Sequence, residues 1–261
     1  MKISVVTPSV RLDGLNIVRR CLSRQTEQKF EWIIVSPFSV IELDRELDHY
    51  QYVYVKEPVR NEGDTYGLNK AWNAAFKIAK GDLIVSIVDM QWFQPDLLER
   101  LWFHYETDPM KCIGAVGNQY LREENGKPEH LAWTDPRVRE DMFYEIPPID
   151  LELCVASLPM KGIKDVGGMD EVFDSFAALS EKEMCVRMQR FGYSFWIDQS
   201  IQYRAIQHPR LTKDWDEKYQ KGIPYFQQCV ADIQNGKRLT LPYLGSISKT
   251  NGVSEKEPAT S

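Results

Sequence analysis

The acid with the clearest reason for its position is Asp89. It follows Leu83, Ile84, Val85, Ile87 and Val88, a nearly continuous apolar run that suits a strand covered on both faces of a parallel sheet. Such a strand delivers Asp89 to its carboxyl end, the edge along which open α/β sheets bind their ligands. Two more carboxylates, Glu181 and Glu183, fall in residues 181–191, which read as a helix stopped by Gly192. A carboxylate held near a reacting hydroxyl acts as a general base. Glutamates two apart on a helix point to different sides, so at most one can face a common site. A solvated charge run, Glu181-Lys182-Glu183, accounts for the same residues. Thr7, Pro8 and Ser9 close the first apolar strand with hydroxyls and backbone groups able to line a slot, although a strand followed by a Pro turn explains them equally well. Arg60, Asn61 and Asn73 offer polar reach around a helix start, or a solvated face. Trp92, Phe93 and Trp133 could form a flat apolar platform, or pack in the core.

The elements that must hold these residues follow from periodicity. Residues 3–7, 31–35 and 51–55 are compact apolar strands, and helical spacing marks residues 15–24 and 41–47 between them. Leu68, Trp72, Ala75, Phe76 and Ala79 give the next helix one apolar face, Gly81 stops it, and the strand ending at Asp89 follows. Alternating strands and helices predict a parallel sheet with right-handed crossovers. Pro95 opens a further helix through Tyr105, and residues 113–116 form another strand. Residues 121–141 read as a charged surface excursion, the kind of long loop that often carries function. A strand at 151–156, a tight turn at Gly167-Gly168-Met169-Asp170-Glu171, extended stretches at 193–197 and 201–206, and a helical region 215–235 broken near Gly222 and Pro224 complete the pattern.

Composition narrows the field. With 261 residues, 43% hydrophobic, the chain can bury a full core as one domain over residues 1–245, with a nucleotide-binding half at 1–110, an acceptor half at 111–245 and a disordered polar tail at 246–261. The net charge of -6 gives no global footprint for nucleic acid. The five widely spaced cysteines form no CxxC, so neither a disulfide framework nor a zinc site is indicated, and a reducing, cytoplasmic setting is expected. No stretch reads as a signal peptide or membrane anchor. P-loop, HExxH, nucleophile-triad and dinucleotide fingerprints are missing.

Taken in order, four groups of residues resemble one known family. They are Ser4-Val5-Val6-Thr7-Pro8-Ser9; Asn61, Gly63, Asn73, Gly81-Asp82 and Asp89; Gly167-Gly168-Met169-Asp170-Glu171; and Glu181, Glu183, Arg187 and Gly192-Tyr193. The chain is similar over residues 3–208 to the inverting nucleotide-sugar glycosyltransferases of family 2, which have the GT-A fold. The resemblance implies an α/β fold, a mostly parallel open sheet flanked by helices with a smaller acceptor-side region. It implies transfer of a sugar, a hexose from a donor such as a UDP-sugar, to an acceptor hydroxyl.

By the same resemblance, Thr7, Pro8, Ser9, Arg60, Asn61, Asn73 and Asp89 would hold the nucleotide. Gly168, Asp170, Glu171 and Trp92 would meet donor sugar or acceptor. Glu181, at the position of the family's second acid, would be the base, with Glu183 as the other candidate. The family places Asp-x-Asp where this chain has Asp89-Met90-Gln91. Gln91 is a neutral donor and a poorer ligand for Mn²⁺ or Mg²⁺. Three readings stand: weak metal binding by Asp89, Gln91 and His208; metal-independent transfer with Lys or Arg stabilising the diphosphate; or a degenerate, inactive site. The acceptor could be a glycan, a lipid-linked sugar or, if basic residues gather on one face, a modified base on DNA. A non-catalytic GT-A-like binding module and a nucleotidyltransferase are the rival functions.

Overall fold

The structure is a computed structural model that describes residues 2–62, 64, 67–122, 128–208 and 214–244. The expected tail at 246–261 and Gly63 lie outside the described residues. Strands β1 (Ile3–Pro8), β2 (Phe30–Ser36), β3 (Val53–Lys56) and β4 (Leu83–Ile87) are joined by helices α1 (Leu12–Leu22), α2 (Val40–Glu46) and α3 (Leu68–Ile78). All four strands pair in parallel, in the order β3-β2-β1-β4. Beyond β4 come β9 (Val155–Pro159), β6 (Lys111–Arg122), β10 (Ser194–Ile206) and the short β5 (Gln91–Phe93); β9 and β5 run antiparallel to their neighbours. Two further strands, β7 (Pro128–Trp133) on β6 and β8 (Phe143–Ile146) on β10, widen this end.

The strands are apolar throughout because both sheet faces are covered. Val6, Ile33 and Ile84 face α3 through Trp72 and Phe76 and join the methionines of α5 (Met160–Val166) and α6 (Ser180–Arg190). Their neighbours Val5, Ile34 and Val85 face the other layer, with Leu15 and Val18 of α1 and Leu97, Leu98 and Leu101 of α4 (Leu97–Thr107). Adjacent residues on opposite faces are the period of a strand. At the turn between α3 and β4 the chain passes close to β1: a Cβ on Gly81 would lie 2.4 Å from the Ser4 nitrogen.

Several expectations need correction. The excursion at 121–141 contains β7, paired back on a β6 that extends to Arg122 instead of ending at Val116. The strand expected at 151–156 starts at Val155, after a short 3-10 turn at Pro148–Asp150. The two extended stretches at 193–197 and 201–206 are one strand, β10, with a register shift between Ile197 and Gln202. Helix α7 (Trp215–Gln234) runs through Pro224. At Gly222 the helix packs closely, since a Cβ there would sit 3.1 Å from the Phe176 Cβ.

Candidate active site

The Asp89 carboxylate is built into the carboxyl edge of the sheet. It is 6% exposed, accepts a 2.7 Å hydrogen bond from the Ser9 hydroxyl and lies 3.3 Å from Arg11 Nη1 through both oxygens. Ser9 and Arg11 belong to the loop from β1 to α1, so two neighbouring strand ends meet at this acid. The first turn of α1 presses against it: a Cβ on Gly14 would come within 2.9 Å of the Asp89 Cβ. Met90 turns the chain with a left-handed φ of 62°, and Gln91 then enters β5 opposite Ala205. The Gln91 side chain is buried, and its Oε1 has no hydrogen-bond partner.

A second group sits along the same edge. The Val88 N–H bonds to the Cys154 carbonyl at 3.1 Å, which places the segment before β9 beside the end of β4. The charge of Glu181 acts on Cys154, and Glu152 acts on both. Glu181 lies in the first turn of α6, reached through two consecutive left-handed residues, Ala178 and Leu179, with φ of 61° and 73°. A β-bearing residue held there is strained. As a residue Glu181 is half-buried, yet its carboxyl end has dense surroundings. Burial pushes that carboxyl above the ordinary glutamate range and the charge of Glu152 adds to the effect, against its own N–H, Lys182 and Ser180.

Glu183, two residues on, has a different environment. It is fully buried, and Arg187 holds it through Nε at 3.0 Å to both oxygens and Nη2 at 2.8 Å. Arg238 Nε adds a 3.2 Å contact. Arg187 in turn donates to the carbonyls of Val166 and Gly168, which ties α6 to the Gly-Gly turn. Both Gly167 and Gly168 have positive φ, as the turn requires. Asp170 is 1% exposed and is taken up by Arg238, Tyr225 Oη at 2.8 Å and Tyr243 Oη at 3.3 Å. Asn73 binds the same turn, donating to the Met169 carbonyl and to Glu171 Oε1 at 2.9 Å each, and accepting from the Met169 N–H at 2.8 Å. The structure thus gathers Asn73, Gly168, Asp170, Glu171 and Glu183 into one interlocked turn.

The remaining expected residues scatter. The Thr7 hydroxyl points into the core, where it accepts from Trp32 Nε1 at 2.9 Å, and Pro8 is buried beside it. Arg60 is exposed and paired with Glu57 at 2.9 Å, and Asn61 is exposed, with its N–H on Asp64. Trp92 packs against Ile17, Met90 and Ile206 and shares a sheet rung with Arg204 and Asn118. Phe93 is in the core, while Trp133 is 44% exposed on β7. His208 is exposed, two residues beyond β10. Sequence reasoning missed Arg11, Arg238 and Asp174. Arg11 had a signal, a cation at the carboxyl end of the first strand. Arg238 and Asp174 had none, since their partners are distant in the chain.

The pattern of Glycosyl transferase family 2 matches residues 4–160, from β1 to the start of α5. The chain belongs to glycosyl transferase family 2. Family 2 enzymes move a sugar from a nucleotide sugar with inversion, and they commonly use a divalent metal. The fold agrees: S. aureus TarS 1–349, solved in complex with UDP, is similar with a TM-score of 0.54 at 15% identity, over 90% of this chain and 71% of that one. This likeness identifies a GT-A fold. No curated protein sequence matches. Among the described residues no helix is long and apolar enough to cross a membrane.

The donor set fits the family metal poorly. Asp89 is the one carboxylate of the motif, and both its oxygens already face Arg11. Among the described residues, the group of acids, cysteines and histidines close enough to share an ion is Asp170, Glu183 and Cys229, which does not include Asp89 and is occupied by the Arg238 guanidinium. A hard divalent cation seeks carboxylate oxygens, and the Asp89–Arg11 pair carries no net negative charge.

Proposed function

We propose that this chain transfers a hexose from a UDP-sugar to an acceptor hydroxyl, with Glu181 as general base. The acceptor oxygen attacks the anomeric carbon, its proton passes to a Glu181 carboxylate oxygen, and the bond to the diphosphate breaks to release UDP. Asp89 and Ser9 hold the nucleotide at the carboxyl end of β1 and β4. The observation that carries the reading is the Glu181 carboxyl itself. It is raised by burial, follows the strained turn at Ala178 and Leu179, and its charge acts on Cys154, whose carbonyl accepts the Val88 N–H next to Asp89. A raised carboxyl is a better proton acceptor than an exposed one. Glu183 is spent on two arginines, so Glu181 alone of the pair remains available.

The UDP reading is supported by the bound nucleotide of TarS. A glycan or lipid-linked sugar is favoured over DNA as acceptor. Of the basic residues that would have to gather, Arg137 is paired with Asp135 and Glu152, Lys161 is paired with Asp165, and Arg139 lies over the Tyr144 ring. The five unpaired cysteines suit a reducing, cytoplasmic compartment.

The test is calorimetric titration with UDP, GDP and TDP, paired with nucleotide release from the matching sugar donors, on the wild type and Asp89→Ala. Binding of UDP and slow release of UDP from its sugar, both lost in Asp89→Ala, is the expected result. A folded protein that binds none of the three refutes the donor site, and binding without any release favours a non-catalytic module.

A further inference from the structure

We infer that the acceptor is a carbohydrate whose ring stacks on the Trp133 indole while the Gln91 and Gln119 amides take its hydroxyls. This rests on the donor and base roles proposed above and names what is bound between them. Four residues carry it, and they lie on one rung of the sheet. Gln91 of β5 pairs with Ala205 of β10, Ala205 with Gln119 of β6, and Gln119 with Trp133 of β7. Residues paired across neighbouring strands project from the same face of a sheet. The rung therefore presents amide, methyl, amide and indole side by side over three strand spacings, roughly 14 Å. Exposure rises along it, from the buried Gln91 through the half-buried Ala205 to Gln119 and Trp133, both exposed. Trp92, one residue beyond Gln91, belongs to the next rung and to the opposite face.

Each end of the rung is tied to one half of the proposed chemistry. Gln91 stands two residues after Asp89, across the left-handed turn at Met90. Trp133 stands two residues before Asp135, which accepts the Gly117 N–H at 2.9 Å and donates its own N–H to Asn118 Oδ1 at 3.0 Å, fastening this end of β7 to β6. Asp135 holds Arg137, Arg137 reaches Glu152 at 3.4 Å, and the charge of Glu152 acts on Glu181. The Gln91 Oε1 is a separate sign of a ligand. It is buried, in a residue 5% exposed, and has no hydrogen-bond partner. A buried acceptor left unpaired is costly, and a sugar hydroxyl supplies the missing donor. An amide both donates and accepts, as a hydroxyl does. The indole offers an electron-rich face to the apolar C–H bonds of a pyranose ring. All four side chains are uncharged, whereas a nucleic-acid acceptor would need cations for its phosphates.

The test uses cellobiose, maltose, lactose and N,N′-diacetylchitobiose, with sorbitol as an open-chain polyol that has hydroxyls but no ring face. Each is titrated by saturation-transfer NMR into the full chain with UDP present, and UDP is titrated separately by calorimetry. At least one disaccharide should bind the wild type, and sorbitol should bind more weakly than that disaccharide. Trp133→Ala should weaken the disaccharide about 10-fold or more and Trp133→Phe should restore most of the loss, as an aromatic anchor does. Gln91→Leu should weaken it about 3- to 10-fold, the share of one hydrogen bond, while its melting midpoint stays level or rises because an unpaired buried acceptor is gone. The exposed Trp133 can be replaced without unfolding the chain, which the thermal melt of each variant checks. Equal disaccharide affinity in wild type and Trp133→Ala, sorbitol binding as tight as the disaccharide, or a UDP-loaded wild type that takes none of the four, overturns the inference and leaves the donor site standing. A Gln91→Leu protein that binds the disaccharide like the wild type overturns the assignment of Gln91. A wild type that binds no UDP overturns the donor site, and with it the reading of the rung as an acceptor site.

Discussion

Glu181 and Glu183 stand two residues apart on one helix, and replacing each by glutamine should produce opposite phenotypes. Glu183 is fully buried against Arg187, which is also fully buried, and touches Arg238 as well. Its carboxylate balances two guanidinium groups, so Glu183→Gln leaves positive charge stranded in the interior. Breaking one side of a buried ion pair costs about 3–5 kcal/mol. In a chain of this size each kcal/mol moves the midpoint by about 2–4 °C, so a fall of about 6–20 °C is expected. Glu181→Gln removes a charge that burial already disfavours. Its midpoint should stay within about 2 °C of the wild type, or rise. Its turnover should drop about 10²- to 10⁴-fold, the share of a general base, with UDP affinity nearly unchanged because the base acts in the transition state. The assays are differential scanning calorimetry, UDP titration and steady-state UDP release on both variants. The wild type should also lose turnover on the acid side with a midpoint above the ordinary glutamate range, since the base must be ionised. A Glu181→Gln enzyme with normal turnover, or a Glu183→Gln protein that melts like the wild type, would refute the division of roles.

Two further outcomes are expected. Asp174 caps α3, accepting from the Asn69 N–H at 2.7 Å and the Lys70 N–H at 3.2 Å, and burial pushes its carboxyl up to about 6. A native carboxyl that holds its proton more tightly than the unfolded chain loses stability as pH rises through the window from about 4 to about 6; the shift is worth at most about 3 kcal/mol. The difference between wild-type and Asp174→Asn melting temperatures should therefore change across that window and be flat above it, and parallel profiles would refute the assignment. Gly167→Ala places a methyl group 1.8 Å from the Leu241 carbonyl oxygen at a φ of 74°. Hydrogen exchange should report loosening of residues 237–244 and a midpoint lowered by several degrees, whereas unchanged protection there would exclude the close packing.

The nucleotide-binding half was legible because buried parallel strands are written as apolar runs. Val5 and Val6, Ile33 and Ile34, and Ile84 and Val85 each divide between the two faces of the sheet, and the helices between them show one apolar stripe. Legibility fades where side chains do the pairing. The polar Asp198-Gln199-Ser200 segment interrupts the apolar pattern of β10, but it is held by its own bonds, Ser200 N–H to Asp198 Oδ1 at 2.8 Å and the Gln199 amide to the Arg139 carbonyl at 2.7 Å. Strand β7 was hidden in a charged excursion that Asp135 fastens to β6, accepting the Gly117 N–H at 2.9 Å. At the site, Asp89 was legible from its position at a strand end. That Asn73 and Asp170 turn inward was not, because their partners lie across the fold at Met169 and Tyr225.

Backbone strain marks the residues that remain at the sheet edge. Among the described residues the non-glycine positions with positive φ are Asp48, His49, Met90, Ala178 and Leu179. Each costs about 1–3 kcal/mol and persists only where its surroundings over-determine it. Met90 separates Asp89 from Gln91, and Ala178 with Leu179 immediately precedes the helix that opens with Ser180 and Glu181. The surroundings that fix them are visible. The Met90 carbonyl is bound by the Ile206 N–H at 2.9 Å, and the Leu179 carbonyl accepts the Glu183 N–H at 3.0 Å, on the helix that the buried Glu183–Arg187 pair anchors to the Gly-Gly turn. The interlocked turn around Asp170 is thus tied to α6. It anchors, through the Glu183–Arg187 pair, the helix whose first turn carries Glu181, the base proposed above.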